Sequence, residues 1–306
     1  MSPRRSESVR RIAAIEALVC RDVGRKTQEL IAASAGELAA AAESLAGATR
    51  VGLITGFFVP RGEVAAPETD GPVGTALLAA ALATCGVPAR IAVDTPCAGA
   101  VRAAVEEAGG GVAVDEVGVS DGEGIVRLTE AWRGAAVTHA VAIERCGRSG
   151  DSRPRNMRGV DVSPWTAPLD DLFLGGGWTK LGVGDGGNEI GMGRLPAGLI
   201  ARTVPNGAAI ACVTSCDHLV VAGVSNWGAY GLMAALAALR PDWRDTIAEF
   251  LTAERDLAVT RAIVAKAGAV DGVTARNEPT VDGFGPEIHG ALIDELRRIA
   301  WGQAAD

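Results

Sequence analysis

Short apolar runs of strand length alternate with helical segments, and this alternation limits the fold more than any other feature of the sequence. The runs Val51–Thr55, Ala89–Val93 and His139–Ile143 each lead into a polar or Gly-containing loop. Strands and helices at this spacing predict an α/β fold with a doubly wound, mostly parallel sheet and flanking helices. Ligands of such sheets bind beyond the carboxyl ends of the strands, so we expect Gly-rich active-site loops there.

The remaining elements are predicted from apolar periodicity and from Gly and Pro boundaries. We find no repeat and expect a single domain over residues 1–306, with a second lobe starting near Val160 as the alternative. Further strands are predicted at Val112–Val117, Leu181–Val183, Ile210–Val213 and Leu219–Val221. Two helices are predicted within Arg10–Ala48. Further helices are predicted at Val73–Cys85, Pro96–Ala108, Gly124–Trp132, Trp227–Leu239, Thr246–Ala267 and Pro286–Trp301.

Composition excludes several classes of partner. The 29 Lys and Arg against 37 Asp and Glu give a net charge of −8, which disfavours nucleic acid and anionic membranes. Apolar stretches fall short of a membrane span, and Glu16 interrupts the apolar N-terminal run where a signal peptide would need continuity. We therefore expect a cytoplasmic protein with a small-molecule substrate. The sequence allows either a monomer or a homo-oligomer.

Two segments that follow predicted strands carry charged candidates. The segment Glu68-Thr69-Asp70-Gly71-Pro72 opens a helix whose N-terminal amides favour an anion, with Asp70 as a helix cap in the simpler reading. Arg145, which follows Ile143-Glu144, and Arg158 in a later Arg-rich run suit carboxylate recognition. Glu144-Arg145 as a solvated pair is the alternative.

The densest group of candidates lies within Gly182–Gly193. Its G-x-G-x-x-G spacing is typical of dinucleotide sites, but Asp185 would repel a pyrophosphate and no acidic residue follows at the distance that ribose binding needs. We therefore expect Asp185, Asn188 and Glu189 to project together for acid–base work or to bind Mg²⁺ or Mn²⁺. Asp161 is counted with Asp185 and Glu189 as a metal ligand.

The segment Ala222–Gly228 places Ser225 and Asn226 between a strand and a helix. Helix capping is the simpler interpretation of these two residues, and substrate binding is the other. The chain has no zinc-type His spacing, no G-x-S-x-G motif and no P-loop, so we expect no bound nucleotide.

Taken together and in this order, these segments resemble the D-glutamate cyclase family, in particular its C-terminal cyclase-like domain. The similarity extends from about Ile12 to Leu296. It rests on Gly56-Phe57, Glu68–Pro72, Glu144-Arg145, Asn156–Asp161, Gly184–Gly193 and Gly223–Gly228. The resemblance implies a hydro-lyase of D-amino acid metabolism that closes D-glutamate to 5-oxo-D-proline with loss of water.

Roles for the candidates follow from that chemistry as hypotheses. Asp185 or Glu189 is expected to take a proton from the substrate ammonium group, with Asn188 beside them. Glu68, Asp70 or a divalent cation is expected to activate the γ-carboxylate. We expect the substrate to be held by Arg145, Arg158, Thr69, Gly71, Ser225 and Asn226. The alternatives are a non-catalytic protein that binds an amino acid or small anion, and a Mg²⁺-dependent phosphate-ester or nucleotide enzyme.

Overall fold

The computed structural model describes residues 3–61 and 64–302, and the expected domain extent of 1–306 reaches beyond them. Six parallel strands form one sheet: β1 (Val51–Ile54), β4 (Ala89–Asp94), β5 (Ala113–Val117), β6 (His139–Ile143), β7 (Thr179–Gly184) and β8 (His218–Val221). Their spatial order is β5-β4-β1-β6-β7-β8. An antiparallel hairpin, β2 (Phe58–Arg61) and β3 (Val64–Pro67), follows β1.

Helices connect and cover the strands on both faces of the sheet, so the predicted α/β fold with a parallel sheet is confirmed. Two short 3₁₀ turns lie at Ser163–Trp165 and Pro241–Trp243. The α-helices are α1 (Pro3–Val19), α2 (Gln28–Ala33), α3 (Glu37–Leu45), α4 (Pro72–Thr84), α5 (Thr95–Ala108), α6 (Gly122–Gly134), α7 (Asp170–Leu174), α8 (Leu199–Thr203), α9 (Gly207–Ile210), α10 (Ser225–Leu239), α11 (Arg244–Phe250), α12 (Ala253–Ala267) and α13 (Pro286–Trp301).

The alternation of side chains along each strand divides the interior into two cores. Leu53 of β1 packs into a large core formed with α4, α5, α10 and neighbouring helices, whereas the adjacent Ile54 packs against α6 and α7 on the other face. The central strands β1 and β6 are therefore buried along their whole length, as expected for a parallel sheet covered on both faces, whereas the edge strand β5 carries Asp115 and Glu116. Both β7 and β8, which come after Val160, continue this sheet.

Three predicted elements differ from the structure. The segment Arg10–Ala48 holds three helices, because a loop and a left-handed Gly36 interrupt it. The predicted strand Ile210–Val213 is instead the end of α9 followed by irregular chain. The predicted helix Thr246–Ala267 is broken at Thr252, whose side chain accepts a hydrogen bond from the Arg255 amide and starts α12.

None of the helices within residues 3–61 and 64–302 is long and apolar enough to cross a membrane.

Candidate active site

A pocket of about 250 Å³ lies at the carboxyl edge of the sheet, where the chain leaves β1, β6 and β7. The acidic lining residues come from all three loops and from the segment before α13. An apolar wall is formed by Phe57, Val59, Met157 and Val273, and two arginines complete the lining. The polar lining residues are Arg25, Glu68, Glu144, Asn156, Arg158, Asp185, Asn188, Glu189 and Asp282.

The loop after β7 folds around the carboxylate of Glu189, a residue of the same loop. Glu189 accepts hydrogen bonds from the backbone amides of Asp185 at 3.1 Å, and of Gly186 and Gly187 at 2.7 Å each. Gly187 has a φ of +103°, which a residue with a side chain rarely adopts. This turn explains the glycines of the motif, and it directs Asp185 and Asn188 into the pocket.

Helices α4 and α10 cap each other below the pocket. The Asp70 carboxylate accepts hydrogen bonds from the amides of Ser225 and Asn226 at 2.9 and 2.8 Å. In return, Asn226 Oδ1 accepts from the amides of Gly71 at 3.0 Å and Gly74 at 2.8 Å. The interpretation of Asp70 as a cap of its own helix was wrong, because it caps α10 while Asn226 caps α4.

Arg25 joins the pocket from the loop between α1 and α2. Its guanidinium group forms ion pairs with Asp185 and, at 2.6 Å, with Asp282. Asp22 fixes this loop by accepting hydrogen bonds from the amides of Arg25 and Thr27. Sequence reasoning missed Arg25 and Asp282, because they lie far along the chain from the Gly-rich motifs and no local pattern marks them.

Burial raises the pKa values of several carboxyl groups in and below the pocket. Burial, reinforced by the charges of Asp282 and Asp70, raises the pKa of Glu68 well above its ordinary value. The pKa of Asp70 is raised to about 8, mainly by burial and then by Asp282. Burial also raises the pKa of Glu144 and of Asp185, although Arg25 opposes the increase at Asp185. These carboxyl groups therefore release their protons less readily than they would in water.

The sequence of this chain matches the model of a known family over residues 15–297, described as D-glutamate cyclase-like, C-terminal. The chain belongs to the D-glutamate cyclase-like family. A human relative named D-glutamate cyclase, mitochondrial, is 37% identical over 216 residues. That alignment covers 66% of this chain but only 35% of the relative, so the match spans about a third of the human protein.

In this member of the D-glutamate cyclase-like family, Arg145 makes its contacts in the protein interior rather than in the pocket. Arg145 is fully buried, forms an ion pair with Asp94 at 2.6 Å, and donates to the carbonyl oxygens of Gly56 and Ala167. It does not line the pocket, so the structure does not support its expected role as a substrate clamp. Arg158 lines the rim and is exposed, which leaves its guanidinium group accessible to a ligand.

Asp161 does not join the other predicted metal ligands. Its carboxylate accepts hydrogen bonds from the amide and hydroxyl groups of Ser163, and it pairs with Arg153 at 3.3 Å. Among the residues that the structure describes, two groups of three carboxylates come close enough to share an ion, and both contain Asp185 instead. They are Asp70, Asp185 and Asp282, and Glu144, Asp185 and Glu189.

The expected substrate-binding residues Thr69, Gly71, Ser225 and Asn226 lie behind the pocket wall. The Thr69 hydroxyl donates to the Thr280 carbonyl at 2.8 Å, and the Ser225 hydroxyl donates to Glu144 at 2.5 Å. The Gly71 amide donates to both Asp70 and Asn226. These residues support the acidic side chains, whereas Asn188 lines the pocket and donates to the Arg155 carbonyl at 2.8 Å.

Proposed function

We propose that this chain catalyses the dehydrating ring closure of D-glutamate to 5-oxo-D-proline. The observation that carries the proposal is the meeting of buried carboxyl groups of raised pKa with Arg158 in one pocket of amino-acid size. Family membership and the name of the human relative support the same substrate. We place the reaction in the cytoplasm as part of this proposal.

The pocket suits each end of the substrate. The acidic floor attracts the ammonium group, and Arg158 at the rim pairs with a carboxylate. The apolar wall of Phe57, Val59 and Met157 faces the methylene carbons. Holding the amine against the γ-carboxyl carbon makes the closure of a five-membered ring an intramolecular step, which contributes much of the rate.

Proton transfer in this reaction balances within the substrate. The nitrogen loses two protons as the ammonium group becomes a lactam N–H, and one γ-carboxylate oxygen takes both and leaves as water. The C–N bond forms and a C–O bond breaks. A single carboxyl group can therefore move both protons if it twice gives a proton to the oxygen and recovers one from the nitrogen.

Glu68 is the group to which we assign this transfer. It lines the pocket, and among residues 3–61 and 64–302 we find no hydrogen bond to its carboxyl group. The candidate bases Asp185 and Glu189 are instead engaged by Arg25 and by three backbone amides. Glu68 thus combines access to the substrate with freedom to exchange a proton.

The proposal is tested by incubating the purified chain with D-glutamate or L-glutamate and recording proton NMR spectra. We expect loss of the free amine and appearance of the lactam with D-glutamate, and much slower conversion of L-glutamate. Saturable binding of D-glutamate without conversion would contradict the proposal and favour a binding protein. Stabilisation only by a nucleotide with a divalent metal would favour a phosphate-ester enzyme.

A further inference from the structure

The carboxyl group of Glu68 lies beside an exposed segment of the pocket rim. It is packed so closely against Gly272 that a Cβ atom at that residue would overlap it. The next residue, Val273, also lines the pocket, and it is 49% exposed. An atom that takes a proton from Glu68 must lie within hydrogen-bond reach of it. The leaving group of the ring closure therefore departs beside the rim and next to an exposed apolar side chain.

Two apolar side chains of the pocket lining lie on segments that are held in place. The fully buried Asp271 accepts hydrogen bonds from the amides of Val273 at 2.9 Å and Gly283 at 2.7 Å. The Met157 carbonyl accepts a hydrogen bond from the Asn206 side chain at 3.0 Å. Single exposed valines are common on protein surfaces, but Val273 and Met157 both line the pocket that contains the proposed acid. A departing water molecule gains nothing from apolar surface, whereas an alkyl group does.

The charges of the pocket favour a neutral γ-carbonyl group over a γ-carboxylate. Six buried carboxyl groups lie in the pocket or its floor, whereas two arginines, Arg25 and Arg158, line it. Arg25 is already paired with Asp185 and Asp282. A second substrate carboxylate adds negative charge to this buried acidic site, which is costly, and a γ-amide avoids that cost. The six carboxyl groups are those of Glu68, Asp70, Glu144, Asp185, Glu189 and Asp282.

We infer that the chain also closes γ-amides of D-glutamate to 5-oxo-D-proline, with release of an amine whose apolar part contacts Val273 and Met157. The substrate class comprises D-glutamine and its N-alkyl γ-amides. This inference rests on the ring closure and on the role of Glu68 proposed above. It adds a second type of leaving group and assigns the side chains at the rim that contact it.

Bonds and protons balance in this reaction as they do in the dehydration. The α-nitrogen attacks the γ-carbonyl carbon, so one C–N bond forms while the C–N bond to the departing amine breaks. The α-ammonium group loses two protons and becomes the lactam N–H. The departing nitrogen gains two protons and leaves as an alkylammonium ion. Glu68 can move both protons if it twice donates one and recovers one, and no second substrate is needed.

The test incubates the purified full chain with D-glutamine or with its N-butyl γ-amide and measures 5-oxo-D-proline by proton NMR, with protein-free blanks. We expect conversion of both amides, and at least tenfold slower conversion by Glu68→Gln. Val273→Ser should lower kcat/KM for the butyl amide relative to D-glutamine by roughly 3- to 10-fold, because part of an apolar contact is lost. Val126→Ser, which alters an exposed valine of α6 outside the pocket lining, should leave this ratio unchanged.

The ratio isolates the butyl group, because the two amides share the rest of their structure and partial unfolding of a variant lowers both rates equally. Absence of lactam from both amides would overturn the inference, whatever the result with D-glutamate. An unchanged ratio in Val273→Ser would overturn the assignment of the rim. Conversion of D-glutamate alone would leave the proposed function standing and remove this inference. Conversion of the amides alone would do the reverse.

Discussion

Glu68 owes its position in the pocket to the absence of a side chain at Gly272. A Cβ atom added at Gly272 would lie 1.7 Å from Glu68 Oε1 and 2.4 Å from its Cδ. The Glu68 backbone is held separately, since its amide donates to the Phe57 carbonyl at 2.9 Å. A methyl group at residue 272 would therefore move the carboxyl group and leave the chain in place.

We predict that Gly272→Ala lowers kcat for D-glutamate roughly 100-fold, because a misplacement of about 1 Å can cost that much. Its melting temperature should change little, since the displaced group is the end of a flexible side chain. Gly134→Ala is the matched control, as a Cβ atom there meets nothing within 4 Å. Unchanged kcat in Gly272→Ala would show that the carboxyl position of Glu68 does not matter.

Arg158 and Arg153 provide a matched pair for substrate binding. Both are exposed and lie in the same segment, but only Arg158 lines the pocket, and Arg153 pairs with Asp161. We predict that Arg158→Ala raises KM about 10- to 100-fold, as expected for loss of a charged hydrogen bond worth about 1.5–3 kcal/mol. Steady-state kinetics of both variants test this, and an equal KM increase in Arg153→Ala would contradict it.

At the scale of single residues, the sequence predicted those pocket residues that lie within local motifs. Asp185, Asn188, Glu189, Glu68 and Arg158 do meet in one pocket. Arg145, which follows β6, was misassigned because its partner Asp94 ends β4, on the far side of β1 in the sheet, and no local pattern reveals that pairing. Arg25 and Asp282 were missed for the same physical reason, since only tertiary folding brings their segments to the strand ends.

The exchange of caps between α4 and α10 is the contact between elements that most directly shapes the pocket floor. The first amides of α10 donate to Asp70, just before α4, and the amides of Gly71 and Gly74 at the start of α4 donate to Asn226 of α10. Two helix N-termini thus face the acidic cluster, and their partial positive charge partly offsets it.

We predict that Asn226→Ala lowers the free energy of unfolding by about 1–3 kcal/mol, because the buried Gly74 amide of α4 loses its acceptor while the Gly71 amide keeps Asp70. Asn277→Ala, which removes an exposed side chain that donates to carbonyl groups, should cost less. Urea unfolding followed by circular dichroism measures both. Equal stability of Asn226→Ala and the unmodified chain would show that the exchange is energetically unimportant.

Helices and strands were predictable where the apolar pattern of the sequence matches the face that is buried in the fold. The strand β6 and the helix α13 have the predicted bounds, since buried strands and capped helices carry strong local signals. The hairpin of β2 and β3 was missed because Phe58–Pro67 has neither an alternating pattern nor a clear turn. The break at Thr252 was missed because apolar periodicity continues across it.

The concentration of acidic groups in one buried pocket affects the stability of the whole molecule. The folded chain raises the pKa of Asp70 to about 8 from an ordinary 3.8, and it raises those of Glu68 and Glu144 as well. These groups release their protons more readily when the chain unfolds. Their contribution to stability is therefore full below the unfolded pKa values and is lost as the pH rises through the folded ones.

We predict that the melting temperature of the chain in EDTA decreases as the pH is raised from about 5.5 to 8.5. Glu68→Gln should show a shallower decrease, because one of the contributing groups no longer titrates. Differential scanning calorimetry across this range tests the prediction. A melting temperature that stays constant or increases with pH would mean that the pocket carboxyl groups are ionised in the folded state.

The central claim is that Glu68 transfers protons in this pocket while D-glutamate closes to a lactam. The most direct measurement compares the rate of 5-oxo-D-proline formation by the unmodified chain and by Glu68→Gln at saturating D-glutamate. The account predicts clear turnover by the unmodified chain and a loss of roughly 100-fold or more in kcat for the variant. Equal rates for the two proteins would contradict it.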